Sequence, residues 1–254
     1  MTFGIAGDSY DRFMGRYSRE LAPRFVAFAG LGPGMRALDV GCGSGLLAAA
    51  LAGRLGAANV AAADPSEPLL AACADRVPHA DVRRASAEEL PWPDESFDAV
   101  LSQLVLNFVP DADAAVAEMC RVVAPGGIVA SCTWNHMGGM QMLRTYWDAA
   151  VELDPRAPDE SDMRYCSREE LAALWERHGL DDVETAPLDV QVGYDSFDDY
   201  WEPFTLGVGP AGAYCASLEP EQREALRESC FGRLGSPAGR FSLTARACAV
   251  RGAR

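Results

Sequence analysis

The 254-residue chain is 49% hydrophobic and 23% charged, a globular composition that excludes a disordered or fibrous protein. Its 37 acidic residues against 22 basic ones leave a net charge of −15, which repels phosphate backbones and anionic headgroups. This argues against nucleic acid or a membrane surface as partner and suits a neutral or cationic ligand.

At this length a fold buries roughly 70–75% of the unfolded surface, enough for one large unit with an embedded cap or for two small units. The chain contains no lysine, so Schiff-base chemistry on lysine and a phosphate-gripping P-loop lysine are excluded. Isoleucine occurs only at Ile5 and Ile128 while Ala, Gly and Arg abound, the drift of a GC-rich bacterial genome. The first residues show no basic start and no apolar core, so no signal peptide is expected. The longest apolar run, around 46–52, falls far short of the ~20 residues that cross a bilayer. Eight cysteines without a C-x-x-C pair support neither a metal site nor a disulfide framework, and are expected as buried apolar residues of a cytoplasmic protein.

Along the chain, a strand over 36–40 leads through a glycine turn into a helix over about 44–54. A second strand over 59–63 ends at Asp64, and Ser66 can cap a helix over 67–75. Residues 81–85 form a third strand. Pro93-Asp94-Glu95-Ser96 turns into a fourth over 97–102. Helical apolar spacing runs over 111–123, and Pro125-Gly126-Gly127 turns into a fifth strand over 128–133. Ser167, with Glu170 three residues on, opens a helix that reaches His178 and stops at Gly179. Strands over 182–192 and 241–250 follow. Alternating strands and helices at this spacing make parallel βαβ units, and near-continuous apolar strands make a sheet covered on both faces, hence a three-layer α/β fold. Residues 1–33, 136–165 and 193–239 break the alternation. Eleven of the 22 aromatic residues lie between Trp134 and Tyr214, so these segments read as a mainly helical cap over the carboxyl ends of the strands, where such sheets bind ligands.

The most informative stretch is Leu38-Asp39-Val40-Gly41-Cys42-Gly43-Ser44-Gly45. Glycines between a strand and a helix let a ligand approach the backbone, and the helix start offers amide hydrogens and a positive dipole end. Asp64, about 20 residues on, sits where an acid accepts both hydroxyls of a ribose. A dinucleotide fingerprint would place its third glycine one residue later, where Leu46 stands. The stretch resembles motif I of class I S-adenosylmethionine-dependent methyltransferases, usually close to L-D-V-G-C-G-x-G. Ser86-Ala87-Glu88-Glu89-Leu90-Pro91 resembles that family's adenine-contacting D-A-E-x-L-P, with Ser86 in place of Asp. Phe97-Asp98-Ala99-Val100, the segment from Leu106 through Asn107 to Asp111, and Arg121-Val122-Val123-Ala124-Pro125-Gly126-Gly127 match in the same order. The matches span roughly 34–135 and are similar to the small-molecule, type 11-like branch.

The resemblance implies a Rossmann-like sheet of seven strands with the last antiparallel, S-adenosylmethionine as methyl donor and S-adenosylhomocysteine as product. It implies cofactor contacts at Tyr10, Asp39, Gly41, Cys42, Gly43, Asp64, Pro65, Ser86, Ala87, Gln103 and Phe108. For Asp39 an alternative is ordering of the loop through backbone amides; for Asp64 it is a helix cap. The whole chain is expected to form one methyltransferase domain, with a core of about 34–135, 166–192 and 240–251.

Methyl transfer from a sulfonium is an in-line displacement with an activated leaving group, so alignment and water exclusion matter most and a base is needed only for a protonated, weakly acidic nucleophile. No strict catalytic constellation is visible. His136, just after the fifth strand, is the best-placed histidine for proton removal; its alternative is a lid or surface position. His178 reads as a partner for its helix's C-terminal dipole, and His79 has no evident role. No N-P-P-Y-like motif stands at Ser102-Gln103-Leu104-Val105, which argues against nucleic-acid and glutamine acceptors. The stretch Tyr10 to Ser18 resembles a lid helix; Tyr17 could close over the site or pack on the sheet edge. Asn107, Trp134, Tyr200 and Trp201 are candidates for the acceptor pocket, with plain core as the alternative for the cluster Tyr194, Phe197, Tyr200, Trp201 and Phe204. The acceptor is expected to be a small, partly apolar or aromatic metabolite methylated on O, N or C. A nicotinamide-dependent oxidoreductase and a non-catalytic binding protein on the same fold are the rivals.

Overall fold

A computed structural model describes residues 11–254 of the chain. It contains one seven-stranded sheet in the order β3-β2-β1-β4-β5-β7-β6. The strands are β1 (Ala37–Val40), β2 (Val60–Asp64), β3 (Asp81–Arg84), β4 (Phe97–Gln103), β5 (Val123–Trp134), β6 (Asp181–Tyr194) and β7 (Phe241–Ala253). β1 to β5 pair in parallel, whereas β7 lies antiparallel between β5 and β6. Every residue of β1 and β2 is buried, as expected of strands covered on both faces. Because strand side chains alternate, neighbouring residues serve opposite layers. Ala37, Ala62, Ala99 and Leu101 join one core, while Leu38, Ala61, Ala63 and Val100 join the other.

The first layer holds α1 (Arg16–Ala29), α2 (Leu46–Leu55) and α5 (Gln141–Leu153), and the second holds α4 (Ala112–Val122) and α6 (Arg168–Arg177). Local chemistry sets several ends. Asp111 accepts the Ala114 amide at the start of α4, and Ser167 and Glu170 form a reciprocal capping box on α6. Gly179 takes a φ of +70° just past α6. Ser66 stands at the N-cap of α3 (Glu67–Arg76), yet its side chain caps nothing; Asp64 takes the local amide instead, accepting from Ser66 N at 2.9 Å. His178 meets more than a helix dipole, because its Nε2 lies 3.0 Å from Asp113 Oδ1 on α4. β5 begins at Val123, five residues before the expected strand, because the chain from Pro125 to Gly127 is tied to the C-terminus: Gly126 N donates to Arg254 O and Arg254 N to Gly127 O. Asp181 and Asp182 open β6.

Residues 136–165 and 193–239 supply α5, α7 (Phe197–Trp201), α8 (Gly209–Ser217) and α9 (Pro220–Arg233). They pack on one another through aromatic rings. Tyr146 of α5 stacks on Phe204 with centroids 4.4 Å apart, and the Tyr200 hydroxyl donates to Met142 O at 3.1 Å. α1 joins them through Arg16, which makes a two-pronged ion pair with Asp199. No helix among the described residues is long and apolar enough to cross a membrane.

Candidate functional site

At the carboxyl ends of β1, β2 and β4 a cavity of about 760 Å³ opens beneath the cap, within the size range of small-molecule pockets. Its floor is the loop between β1 and α2. Gly43 has a φ of +51°, and a Cβ built there would meet open space, so the bare backbone faces the cavity. Gly45 has a φ of +84°, and a Cβ there would lie 2.8 Å from Cys73 Sγ; close packing on α3 demands that glycine. From α3, Arg76 grips the loop through Ser44 Oγ at 2.8 Å.

Two carboxylates face this floor. Asp64 ends β2 and accepts Gly43 N through Oδ2 and Ser66 N through Oδ1, both at 2.9 Å. Each oxygen keeps a lone pair for a ligand hydroxyl, so the loop-ordering role and a ribose-binding role are compatible. Asp39 is 1% exposed; the Ala48 amide of α2 is the backbone donor that bears on it, and neither oxygen has a well-formed hydrogen bond among the described residues. Burial pushes its pKa well up, and burial likewise raises that of Asp64. A buried carboxylate short of donors beside an open glycine is the signature of a cradle for a donor-rich ligand; Asp39, Gly43, Asp64, Ser86 and Ala87 have the geometry to hold a nucleoside-bearing cofactor.

Of the residues expected at the cofactor, Asp39, Gly41, Cys42, Gly43, Asp64, Pro65, Ser86, Ala87, Gln103 and Phe108 line this one cavity, and so do Trp134 and His136. Tyr10 lies outside the described residues. His136 is 4% exposed, which removes the surface alternative. Both ring nitrogens lack a partner among the described residues, and burial, aided by the charge of Arg144, pulls its pKa down to about 4. The ring is therefore neutral at physiological pH.

Four expected contacts are not on the wall. Tyr17 is wholly buried on α1, with its hydroxyl 2.9 Å from that of Tyr194. Tyr200 and Trp201 are spent in the aromatic core of the cap, where ring area stabilises most. Asn107 turns toward Met163, leaving the wall to its neighbours Phe108, Val109 and Pro110.

The wall also holds residues that pattern reading did not pick out. Leu104 follows β4 with a φ of +64°, a strained conformation of the kind that gathers at functional sites. Glu160, 7% exposed, comes from a single turn in the cap, and its Oε2 accepts Trp147 Nε1–H at 2.7 Å. No periodicity marks it; an acid within a Pro-rich segment was the sole signal. Met14, Ser18, Leu143 and Val208 complete the cap side.

A family model described as "Methyltransferase domain" matches residues 38–131. An uncharacterized protein of Mycobacterium tuberculosis is 40% identical over 124 residues, covering 46% of this chain and 44% of that protein, so the chain matches less than half of that relative's length. The demethylmenaquinone methyltransferase of Lysinibacillus sphaericus is 30% identical over 202 residues, covering 71% of this chain and 86% of that enzyme. Among solved structures, Haemonchus contortus phosphoethanolamine N-methyltransferase 2, in complex with phosphomonomethylethanolamine and S-adenosylhomocysteine, superposes with a TM-score of 0.57 at 18% identity, covering 100% of this chain and 60% of that one. At that identity the likeness is one of fold.

Proposed function

This chain belongs to the class I S-adenosylmethionine-dependent methyltransferases, and from that premise we propose that it acts as one methyltransferase unit which moves the methyl group to an O, N or C nucleophile of a small, partly apolar or aromatic metabolite. When bound, S-adenosylmethionine supplies a methyl group already activated on a sulfonium. The observation that carries the reading is the pairing of Asp39, buried on the cavity wall without a well-formed hydrogen bond among the described residues, with the open backbone at Gly43.

In this reading the bare backbone of the glycine loop gives the cofactor room to approach, and the carboxylates of Asp39 and Asp64 take its nucleoside and amino-acid ends. Ser86 and Ala87 flank the base, and Gln103 and Phe108 close the far side. The chain's contribution to rate is alignment and exclusion of water by the cap. A histidine whose pKa is pulled down to about 4 is a weak base, so His136 serves the acceptor as a neutral hydrogen-bonding group.

Isothermal titration of the purified protein against S-adenosylhomocysteine and against NADH tests the reading. Saturable binding of S-adenosylhomocysteine with no heat from NADH is expected. NADH binding alone would overturn it in favour of hydride chemistry, and binding of neither would leave a protein that keeps the fold without the cofactor.

A further inference from the structure

We propose that the acceptor presents a hydroxyl or amine hydrogen on an apolar body and carries no anionic group inside the cavity, and that Glu160 is the residue that accepts that hydrogen. The proposal rests on the methyltransferase reading and narrows its acceptor class.

The cavity wall includes Phe13, Met14, Trp134, Leu143, Val208 and Ala211. These are apolar walls for a ring or an aliphatic body. The same wall holds the carboxylate of Glu160, buried and fixed on one side. Its Oε2 takes the Trp147 indole N–H at 2.7 Å, and Trp147 is itself wholly buried on α5, so the carboxylate cannot swing away. A carboxylate offers about four lone-pair sites, and the protein's bond from Trp147 fills one of them. Arg144, whose charge is felt at Glu160, is committed to Asp148 and Asp159. Burial raises the Glu160 pKa, as expected of an acid short of compensating donors.

A ligand that donates a hydrogen completes this group; a ligand that brings a second anion meets it in a low-dielectric pocket, where like charges repel strongly. Relief from a cation is missing on the wall. The chain has no lysine, and among residues whose side chains are described no arginine lines the cavity. Asp39 and Asp64, whose pKa values burial raises, add acceptors and no positive charge to the same wall. Two unpartnered polar groups of the wall, Ser18 Oγ and the neutral His136 ring, can orient a hydroxyl or amine but cannot neutralise a carboxylate or phosphate.

Three probes with one apolar body separate the possibilities: para-ethylphenol, para-ethylbenzylamine and para-ethylbenzoate. Their affinities are measured by ligand-observed NMR on the full chain saturated with S-adenosylhomocysteine. The phenol or the amine is expected to bind at least about tenfold more tightly than the benzoate, since a site built to accept a hydrogen rejects the analogue lacking it. In Glu160→Gln the side-chain oxygen still receives Trp147 while the amide now donates into the cavity. The preference over benzoate should fall by about tenfold, with S-adenosylhomocysteine affinity unchanged. Equal binding of benzoate and phenol by the wild type, or an unaltered preference in Glu160→Gln, would overturn the proposal, and the wild-type ranking decides alone if the variant does not fold. Failure of the wild type to bind S-adenosylhomocysteine would instead overturn the methyltransferase reading beneath it.

Discussion

Two buried titratable side chains with unmet hydrogen-bonding capacity face the same cavity. Asp39 is a buried acid with only the Ala48 amide bearing on it, and His136 is a buried imidazole whose ring nitrogens have no partner among the described residues. Each such group costs on the order of 1–3 kcal/mol when left unmade, which is tolerated where a ligand completes it. His136 yields a pH prediction. Its folded pKa, about 4, lies below the ordinary value of 6.5, so the unfolded chain takes up the proton first. The stability is fully present above pH 6.5 and is lost as pH falls toward 4. The loss approaches about 3 kcal/mol, since each unit is worth about 1.4 kcal/mol. His136→Leu removes the titration and keeps the wall apolar. Urea unfolding at pH 7, 5.5 and 4 should show the wild type losing about that much more stability than the variant across the interval. Parallel pH curves would mean that the ring charges freely in the folded state.

At the scale of elements, helix α1 is tied to the cap through Arg16, beside the hydroxyl pair of Tyr17 and Tyr194. Arg16 pairs with both oxygens of Asp199 and lies 4.7 Å from the Tyr194 ring centroid. The ion pair is partly exposed and worth about 0–1 kcal/mol; stacking on the ring adds about 0.5–1 kcal/mol. Arg16→Ala should therefore loosen α1 by about 1 kcal/mol. In hydrogen-exchange mass spectrometry, α1 peptides should exchange about fivefold faster, with β1 and β4 unchanged. Acceleration spread evenly over the fold would show that α1 belongs to the global unfolding unit. The sheet and the glycine loop could be read from the sequence because their signals are local: apolar runs between turns, and glycines whose spacing the backbone dictates. The capping box at Ser167 and the stop at Gly179 were legible for the same reason. The cap was legible as helix and aromatics, but which aromatics face the cavity was not. Tyr200 and Trp201 sit at helical spacing that fits a pocket wall and a core equally, and tertiary packing sent them to the core. Glu160 lies in one short turn without periodicity, and its place on the wall depends on Trp147, thirteen residues away in sequence.

For the whole molecule, charge decides how stability responds to salt. The chain carries −15, and compaction brings those charges together. Two electrostatic effects oppose each other. Arginines such as Arg84, Arg121, Arg144 and Arg246 make ion pairs with carboxylates at contact distance, which salt weakens. Long-range repulsion among the excess carboxylates is also weakened, and that stabilises. The screening length falls from about 30 Å at 0.01 M to about 8 Å at 0.15 M salt. Contact pairs lie well inside both lengths and lose little, whereas charges 10–30 Å apart, a range of the order of the molecule's own radius, lose most of their repulsion. The repulsive term is therefore the one that salt removes. Raising NaCl from 0.01 to 0.15 M should stabilise the fold by about 1 kcal/mol, or about 2–4 °C in Tm for a chain of this size. Calorimetric melts at constant pH measure it. A Tm that falls over this range would mean that the arginine pairs outweigh the excess negative charge, and would reverse the sign assigned here to the surface field.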